Sequence, residues 1–362
     1  MKQLLLSLLF ILSGSFVQRS NAQTTTFNVK RGTNISHWLS QSSKRGGERS
    51  RYFTESDVKR IAAMGFDHIR LPIDEEQMWD KKGQRFQEAF DLMHDAIGWC
   101  KKANLKIIVD LHILRSHHFN NNERPLWTDT REQKKFYIMW KRLSNELRKY
   151  PNDFLAYELM NEAVADDPND WNKLIAGATN IIRVAEPRRT IIVGSNRWQS
   201  VHTFKDLKVP ANDPNIMLSF HFYEPFVFTH YETSWTFLKD YHGGAKYPGV
   251  GISDKKLAKS PLSSQLKHYA RKYDREVLKE MINMAYSRAQ SLGLKLYCGE
   301  FGVYKKSTPK PDRLKWYEDV VSIFDELNIG YTCWDYKGSF GLISPEGEPY
   351  VKLIEIVTNK KQ

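Results

Sequence analysis

"FLAYELMNEAVADDPNDW", residues 154–171, is the stretch from which the fold can be read. An apolar run from Phe154 to Met160 stops on Asn161 and Glu162, and acidic, turn-forming residues follow. Asp167-Pro168 then opens a helix that carries Trp171, Leu174, Ile175, Ala178 and Ile182 on one face and stops before Pro187. A short, nearly continuous apolar strand followed by an amphipathic helix is the unit of a parallel sheet covered by helices.

That unit recurs along the chain. "FNVKRGTNIS" (27–36), "FDHIRLPI" (66–73), "LKIIVDLH" (105–112) and "TIIVGS" (190–195) read as strands, as do "IMLSFHFY" (216–223), "LKLYCGEF" (294–301) and "IGYTCWDY" (329–336). Thr54 with Asp57 reads as a helix start, with Phe53 stapled onto Val58. Thr130 with Gln133 reads as a capping box opening a helix with Phe136, Trp140, Leu143 and Leu147 on one face. With the strand at 154–161 the repeats number eight, which favours closure into a single-domain (β/α)8 TIM barrel over an open doubly wound sheet.

A barrel of this kind presents its chemistry at the carboxyl ends of its strands. Polar residues collect there: Asn34, Arg70, Asp110, His112, Asn161, Glu162, His221, Tyr223 and Glu300, with Trp334. Seven of the eight strands contribute, and the strand at 190–195 brings nothing. So many polar strand ends on one rim point to a site and not to isolated caps.

The bulk composition narrows the class. In the chain of 362 residues, Lys2 and the run "LLLSLLFILSGSFV" ahead of "SNA" read as a cleavable secretory signal over residues 1–22, too short to span a membrane. Residues 23–362 are then one exported catalytic domain, secreted or periplasmic, with no stable membrane insertion expected. Only Cys100, Cys298 and Cys333 are present, so buried free thiols are expected and not a disulfide framework. The formal charge is +12, but the basic residues are spread among acids, apart from a denser zone from Lys255 to Arg275. No nucleic-acid motif accompanies them, and a solvated face is the expectation.

Two carboxylates stand out, Glu162 after the fourth strand and Glu300 after the seventh. Side chains from those positions can approach across a barrel mouth. Glycosidic bond hydrolysis needs such a pair, one protonating the leaving oxygen while the other attacks or activates water. The pair must differ in acidity. Arg70 and Tyr223 are placed to ionise one carboxylate by charge pairing and hydrogen bonding, which favours Glu300 as nucleophile and Glu162 as acid/base. Spacing alone leaves that assignment open.

"YELMNEA" and "YCGEFGVY" resemble the acid/base and nucleophile motifs of glycoside hydrolase family five, the large cellulase family of retaining barrel enzymes. "HIRLPI", "IVDLH", "SFHFYEP" and "TCWDYKGSFGL" match its other strand-end signatures in the same order, from about Arg31 to about Leu342. The resemblance implies Glu162 as acid/base and Glu300 as nucleophile, with Arg70 and Tyr223 orienting Glu300. It further implies Asn161 on the sugar 2-hydroxyl, His112 and His221 lining the cleaved-bond subsite, and Trp334 as the stacking platform. No metal and no organic cofactor are implied. The expected partner is a polysaccharide or oligosaccharide, handled by a monomer. A β-1,4-glucan is the first substrate class, with β-mannan, xyloglucan, β-1,3- or mixed-linkage glucan and exo action open.

The chain departs from the family's common pattern in places. Ala163 follows Glu162 where many relatives have proline, and "ILRSHHFNNNERPLW" lacks a glycine-rich form. The long segment from Glu224 to about residue 270 is expected to wall the cleft through Trp235, Tyr241 and Tyr247. Other features carry less. His117-His118 lacks a partner at metal-ligand spacing, and Glu158 is expected to pair with a basic group inside the barrel. Asp335 and Lys337 suit sugar contacts or structural pairing equally. A non-catalytic polysaccharide-binding barrel would lack one of the two carboxylates. A metal-dependent phosphohydrolase would need Asp and His at more strand ends.

Overall fold

The computed structural model describes residues 27–362, so the expected leader lies outside the described residues. The eight expected strands are all present: β1 (Arg31–Asn34), β2 (His68–Asp74), β3 (Lys106–Ile113), β4 (Leu155–Glu158), β5 (Ile191–Gly194), β6 (Ile216–Phe222), β7 (Lys295–Phe301) and β8 (Gly330–Cys333). Each pairs in parallel with its neighbours, and β1 pairs with both β2 and β8 to close the barrel.

Outside the barrel run α1 (Glu55–Met64), α2 (Gln87–Lys102), α3 (Thr130–Leu147), α4 (Pro168–Ala185), α5 (Arg275–Ser291), α6 (Lys310–Glu326) and α7 (Val351–Thr358). Between β5 and β6 a 3-10 segment, Val201–Asp206, takes the place of a full helix. The start of α1 is as expected: Asp57 accepts from the Thr54 backbone N–H at 3.0 Å, and Phe53 and Val58 are both buried. The start of α3 needs correcting by one residue. Asp129 is the cap, accepting from Arg131 N–H at 2.8 Å, while the Gln133 amide turns back to Leu126 and Trp127 carbonyls. Aspartate caps as well as threonine, and the acceptor that reaches the free N–H groups decides the boundary.

Strand alternation separates two apolar layers. Ile107, Val109, Leu111, Leu155, Tyr157, Leu218 and Phe220 face the helices in the main core. Facing inward, Phe27, Ile108, Ala156, Ile192, Met217 and Tyr297 form a separate plug at the amino-terminal end of the barrel. Above that plug the interior turns polar. Register shifts at Phe220/His221, Tyr331/Cys333 and Ile73/Asp74 re-aim the side chains at the carboxyl ends.

The segment between β6 and α5 is a packed substructure. It holds short helical turns and an antiparallel pair, Gly249–Val250 with Lys272–Tyr273. Tyr241 and Tyr247 belong to its buried core, and the Tyr247 hydroxyl donates to Asp319 of α6 at 2.7 Å. Of the three aromatics expected on the cleft wall, Trp235 alone lines the cleft. Tyrosine spacing could not distinguish a cleft wall from a small internal core.

Candidate active site

Arg70 is the hub of the polar layer. It sits mid-strand in β2, below the rim, with no solvent exposure. Its Nε donates to Glu158 Oε2 at 2.6 Å, and Nη1 donates to Asn34 Oδ1 at 3.0 Å and Glu300 Oε1 at 2.9 Å. Its Nη2 donates to Asn161 Oδ1 at 2.9 Å and lies 3.0 Å from Asp110 Oδ2. Four hydrogen bonds and the ion pair with Asp110 thus engage all three guanidinium nitrogens. Glu158 pairs as expected, and Asp110 is part of the same interior network and not of the rim.

Glu300 stands at the end of β7, where Tyr223 donates to its Oε2 at 2.9 Å. Glu162 lies across from it, with His221 Nδ1 2.9 Å from Glu162 Oε1 and 3.6 Å from Glu300 Oε2. Ligand-type atoms of Glu162, His221 and Glu300 all lie within 4.8 Å of one another, the only such trio among the described residues.

The electrostatics of the two acids differ. Burial, and then the charge of Glu300, push the Glu162 carboxyl well above the usual range. Burial also raises Glu300, and the charge of Arg70 and the Tyr223 hydrogen bond offset part of that rise. His221 is held well below its ordinary value by burial and the charge of Arg70, so it is neutral and its Nδ1–H donates to Glu162. Burial lowers His112 to about 3. Neutral His112 donates Nδ1–H to Asp110 Oδ2 at 2.7 Å, and burial lifts Asp110 to about 7.

Above these groups a cleft of about 1190 Å³ opens, lined by Asn161, Glu162, Tyr223, Glu300, His112 and Trp334 among others. Trp334 is half-buried and stacks on His112, with centroids 5.9 Å apart and planes at 7°. The eight candidate residues therefore converge on one place. His221 lies just beneath the cleft floor, its side chain 2% exposed. At one end Trp235 stands 51% exposed, edge-on to Tyr304 at 5.4 Å.

The turn holding Glu162 is built from both sides. The Leu159 N–H donates to Ile192 O of β5 and the Asn161 N–H to Leu111 O of β3. Glu162 itself has φ +46°, a conformation costing a non-glycine residue about 1–3 kcal/mol, which surrounding bonds must offset. They come from two loops. The Val164 N–H donates to His117 Nε2 at 3.2 Å, Asn196 makes two hydrogen bonds to the Ala165 backbone, and the Glu162 N–H donates to Gln199 Oε1 at 2.9 Å. His117 thus serves the turn. Gln199 follows β5, the strand expected to bring nothing. Its signal lay five residues beyond the strand, in "SNRWQS" (195–200). Asp335 and Lys337 make structural pairs, Asp335 with Ser36 and Lys337 with Asp57 at 2.9 Å.

Residues 21–339 match the cellulase family, glycosyl hydrolase family 5. The chain belongs to that family. This family 5 glycoside hydrolase is 32% identical over 345 residues to Endoglucanase C of Acetivibrio thermocellus, covering 92% of this chain and 99% of the relative. Cellodextrinase A of Ruminococcus flavefaciens is 28% identical over 311 residues, with 84% of each chain covered. Among solved structures, a hyperthermophilic endo-β-1,4-glucanase with bound substrate superposes with a TM-score of 0.75 at 22% identity, covering 92% of this chain and 97% of that one. The cellulose synthase subunit Z of Clostridioides difficile gives 0.73 at 24% identity, covering 91% and 99%. No helix among the described residues is long and apolar enough to cross a membrane.

Proposed function

We propose that this enzyme hydrolyses a β-1,4-linked glucan with retention of configuration, Glu300 acting as nucleophile and Glu162 as acid/base. The observation that carries this reading is the facing pair, with oxygens within 4.8 Å, in which Arg70 and Tyr223 restrain the rise of Glu300 while Glu162 is raised further by the charge of Glu300. Retaining glycosidases hold their carboxyl groups about 5–5.5 Å apart, while inverting enzymes leave room for a water between them.

In the first step the Glu300 carboxylate attacks the anomeric carbon and the glycosidic C–O bond breaks. The departing oxygen takes the proton that Glu162 holds. In the second step a water gives a proton to Glu162 and attacks the same carbon, which releases Glu300. Arg70 and Tyr223 aim Glu300 and favour its ionised form against burial, and neutral His221 fixes one oxygen of Glu162 so that the other faces the leaving group. The Asn161 side chain, held by Arg70, is placed for the sugar 2-hydroxyl, and Trp334 for stacking under the ring. Both steps balance with the two carboxyls and water alone, so the proposed mechanism calls for no metal or organic cofactor.

Endoglucanase and cellodextrinase relatives support the glucan assignment. Trp235 is the candidate platform for a sugar beyond the cleaved bond. Export follows from the leader reading of residues 1–22 and predicts a secreted or periplasmic protein beginning at Gln23. A monomer suffices, since one chain supplies every group named. Product analysis on cellulose, mannan, xyloglucan, β-1,3-glucan and mixed-linkage glucan tests the substrate. Short β-1,4-gluco-oligosaccharides are expected, and products from mannan alone would overturn the glucan assignment. Glu300→Gln should abolish hydrolysis and keep oligosaccharide binding, and full activity in that variant would overturn the mechanism. A chelator should leave the rate unchanged, and strong inhibition would bring a metal into the Glu162, His221 and Glu300 cluster.

A further inference from the structure

We propose that Gln199 is the positioning residue that aims Glu162, acting through the backbone of the catalytic turn and not through substrate. The inference rests on the reading of Glu162 as acid/base.

Gln199 has no solvent exposure. Its Oε1 accepts the Glu162 N–H at 2.9 Å, while its Nε2 donates to Ser219 Oγ at 3.0 Å and Glu158 Oε1 at 3.3 Å. One amide therefore ties the backbone of Glu162 to Glu158, which pairs with Arg70, which in turn holds Glu300. The two carboxyls share a frame through buried polar bonds that run underneath them.

The fold makes room for this amide. Arg197, Trp198 and Gln199 have φ of +53°, +60° and +53°, three left-handed residues in succession with none of them glycine. Such a run persists only where its surroundings hold it. The turn is pinned from outside, with the Trp198 N–H donating to Ala163 O at 3.2 Å and its Nε1 to Phe119 O at 3.2 Å. Gly194, the last residue of β5, supplies the cavity. The three atoms that a Cβ there would meet first all belong to the Gln199 side chain, and it would overlap them. A left-handed turn and a missing Cβ together seat one amide under the acid/base.

A group that aims the acid should matter in proportion to how much the leaving group needs a proton. For kcat/KM, which reports the first bond-breaking step, an aryl glycoside with a poor leaving group needs the acid and one with a good leaving group does not. The test compares phenyl β-cellobioside with 2,4-dinitrophenyl β-cellobioside for wild type, Q199A, G194A and E162A. Q199A and G194A should each lose about 10²-fold on the phenyl substrate and far less on the dinitrophenyl one. The dinitrophenyl value also reports the folded, nucleophile-competent fraction. Equal losses on both substrates, or no loss on either, would overturn the proposal. If E162A showed no leaving-group dependence, the acid/base reading itself would fall and this inference with it.

Discussion

Arg70 Nη1 donates to Glu300 Oε1 at 2.9 Å from a guanidinium that has no contact with solvent. The same cation faces Glu158 and Asp110, so one positive charge serves three buried carboxyl groups. Burial would otherwise neutralise those acids, and Arg70 is the charge that opposes it at Glu300. Arg70→Lys offers three donors for five acceptors and cannot span them. Breaking a buried pair costs about 3–5 kcal/mol. Denaturant unfolding should show a loss of that size, and glycosidase activity should fall to background in protein that is still folded. Wild-type stability in this variant would contradict the hub role.

The Tyr223 hydroxyl donates to Glu300 Oε2 at 2.9 Å and helps hold that carboxyl down. Removing it in Tyr223→Phe raises Glu300, so a higher pH is needed to ionise the nucleophile. The acid limb of the kcat/KM profile should move up by about one pH unit, the worth of a hydrogen bond to a charged group. The basic limb, set by Glu162, should stay in place. An unmoved acid limb would break the link between Tyr223 and the nucleophile.

Glu162 is raised first by burial and next by the charge of Glu300. Neutralising Glu300 in Glu300→Gln removes the second cause and leaves the first. The Glu162 carboxyl should titrate lower in that variant than in wild type and still above an exposed glutamate, read from carboxyl-labelled glutamate by NMR. A value equal to wild type would mean that the two acids do not sense each other.

Gly32 in β1 faces the His68 ring, and a Cβ there would lie 2.5 Å from its Cε1 and Nε2. His68 cannot retreat, because its Nε2 and the Tyr297 hydroxyl are 2.9 Å apart and its Nδ1 is 2.5 Å from Asp67. Gly32→Ala should therefore destabilise the barrel by about 1–3 kcal/mol, visible as a lower Tm with the pH profile of any remaining activity unchanged.

The barrel was legible in the chain because each strand is an apolar run and each helix an amphipathic one. Both signals are local, and closure follows from their number. Glu162 and Glu300 were legible for a related reason, since each ends such a run on a polar residue. Gln199 was not. It lies five residues past β5, in a left-handed turn with no periodicity to reveal it, and its role depends on the absent Cβ of Gly194. Tyr241 and Tyr247 went the other way: cleft aromatics and core aromatics share a composition, and only packing tells them apart. Arg70 and Asp110 read as rim residues, but β2 and β3 run on past them and leave both inside the barrel.

The claim that Glu300 is the nucleophile of a retaining glycosidase is tested most directly by trapping its glycosyl intermediate. Treatment with 2,4-dinitrophenyl 2-deoxy-2-fluoro-β-cellobioside should slow the second step more than the first and leave a fluorocellobiosyl group on the protein. Mass spectrometry of the intact protein and its peptides should find one such group per chain, on Glu300 in the peptide containing "YCGEFGVY". A label on another residue, or inactivation without any covalent sugar, would contradict the account.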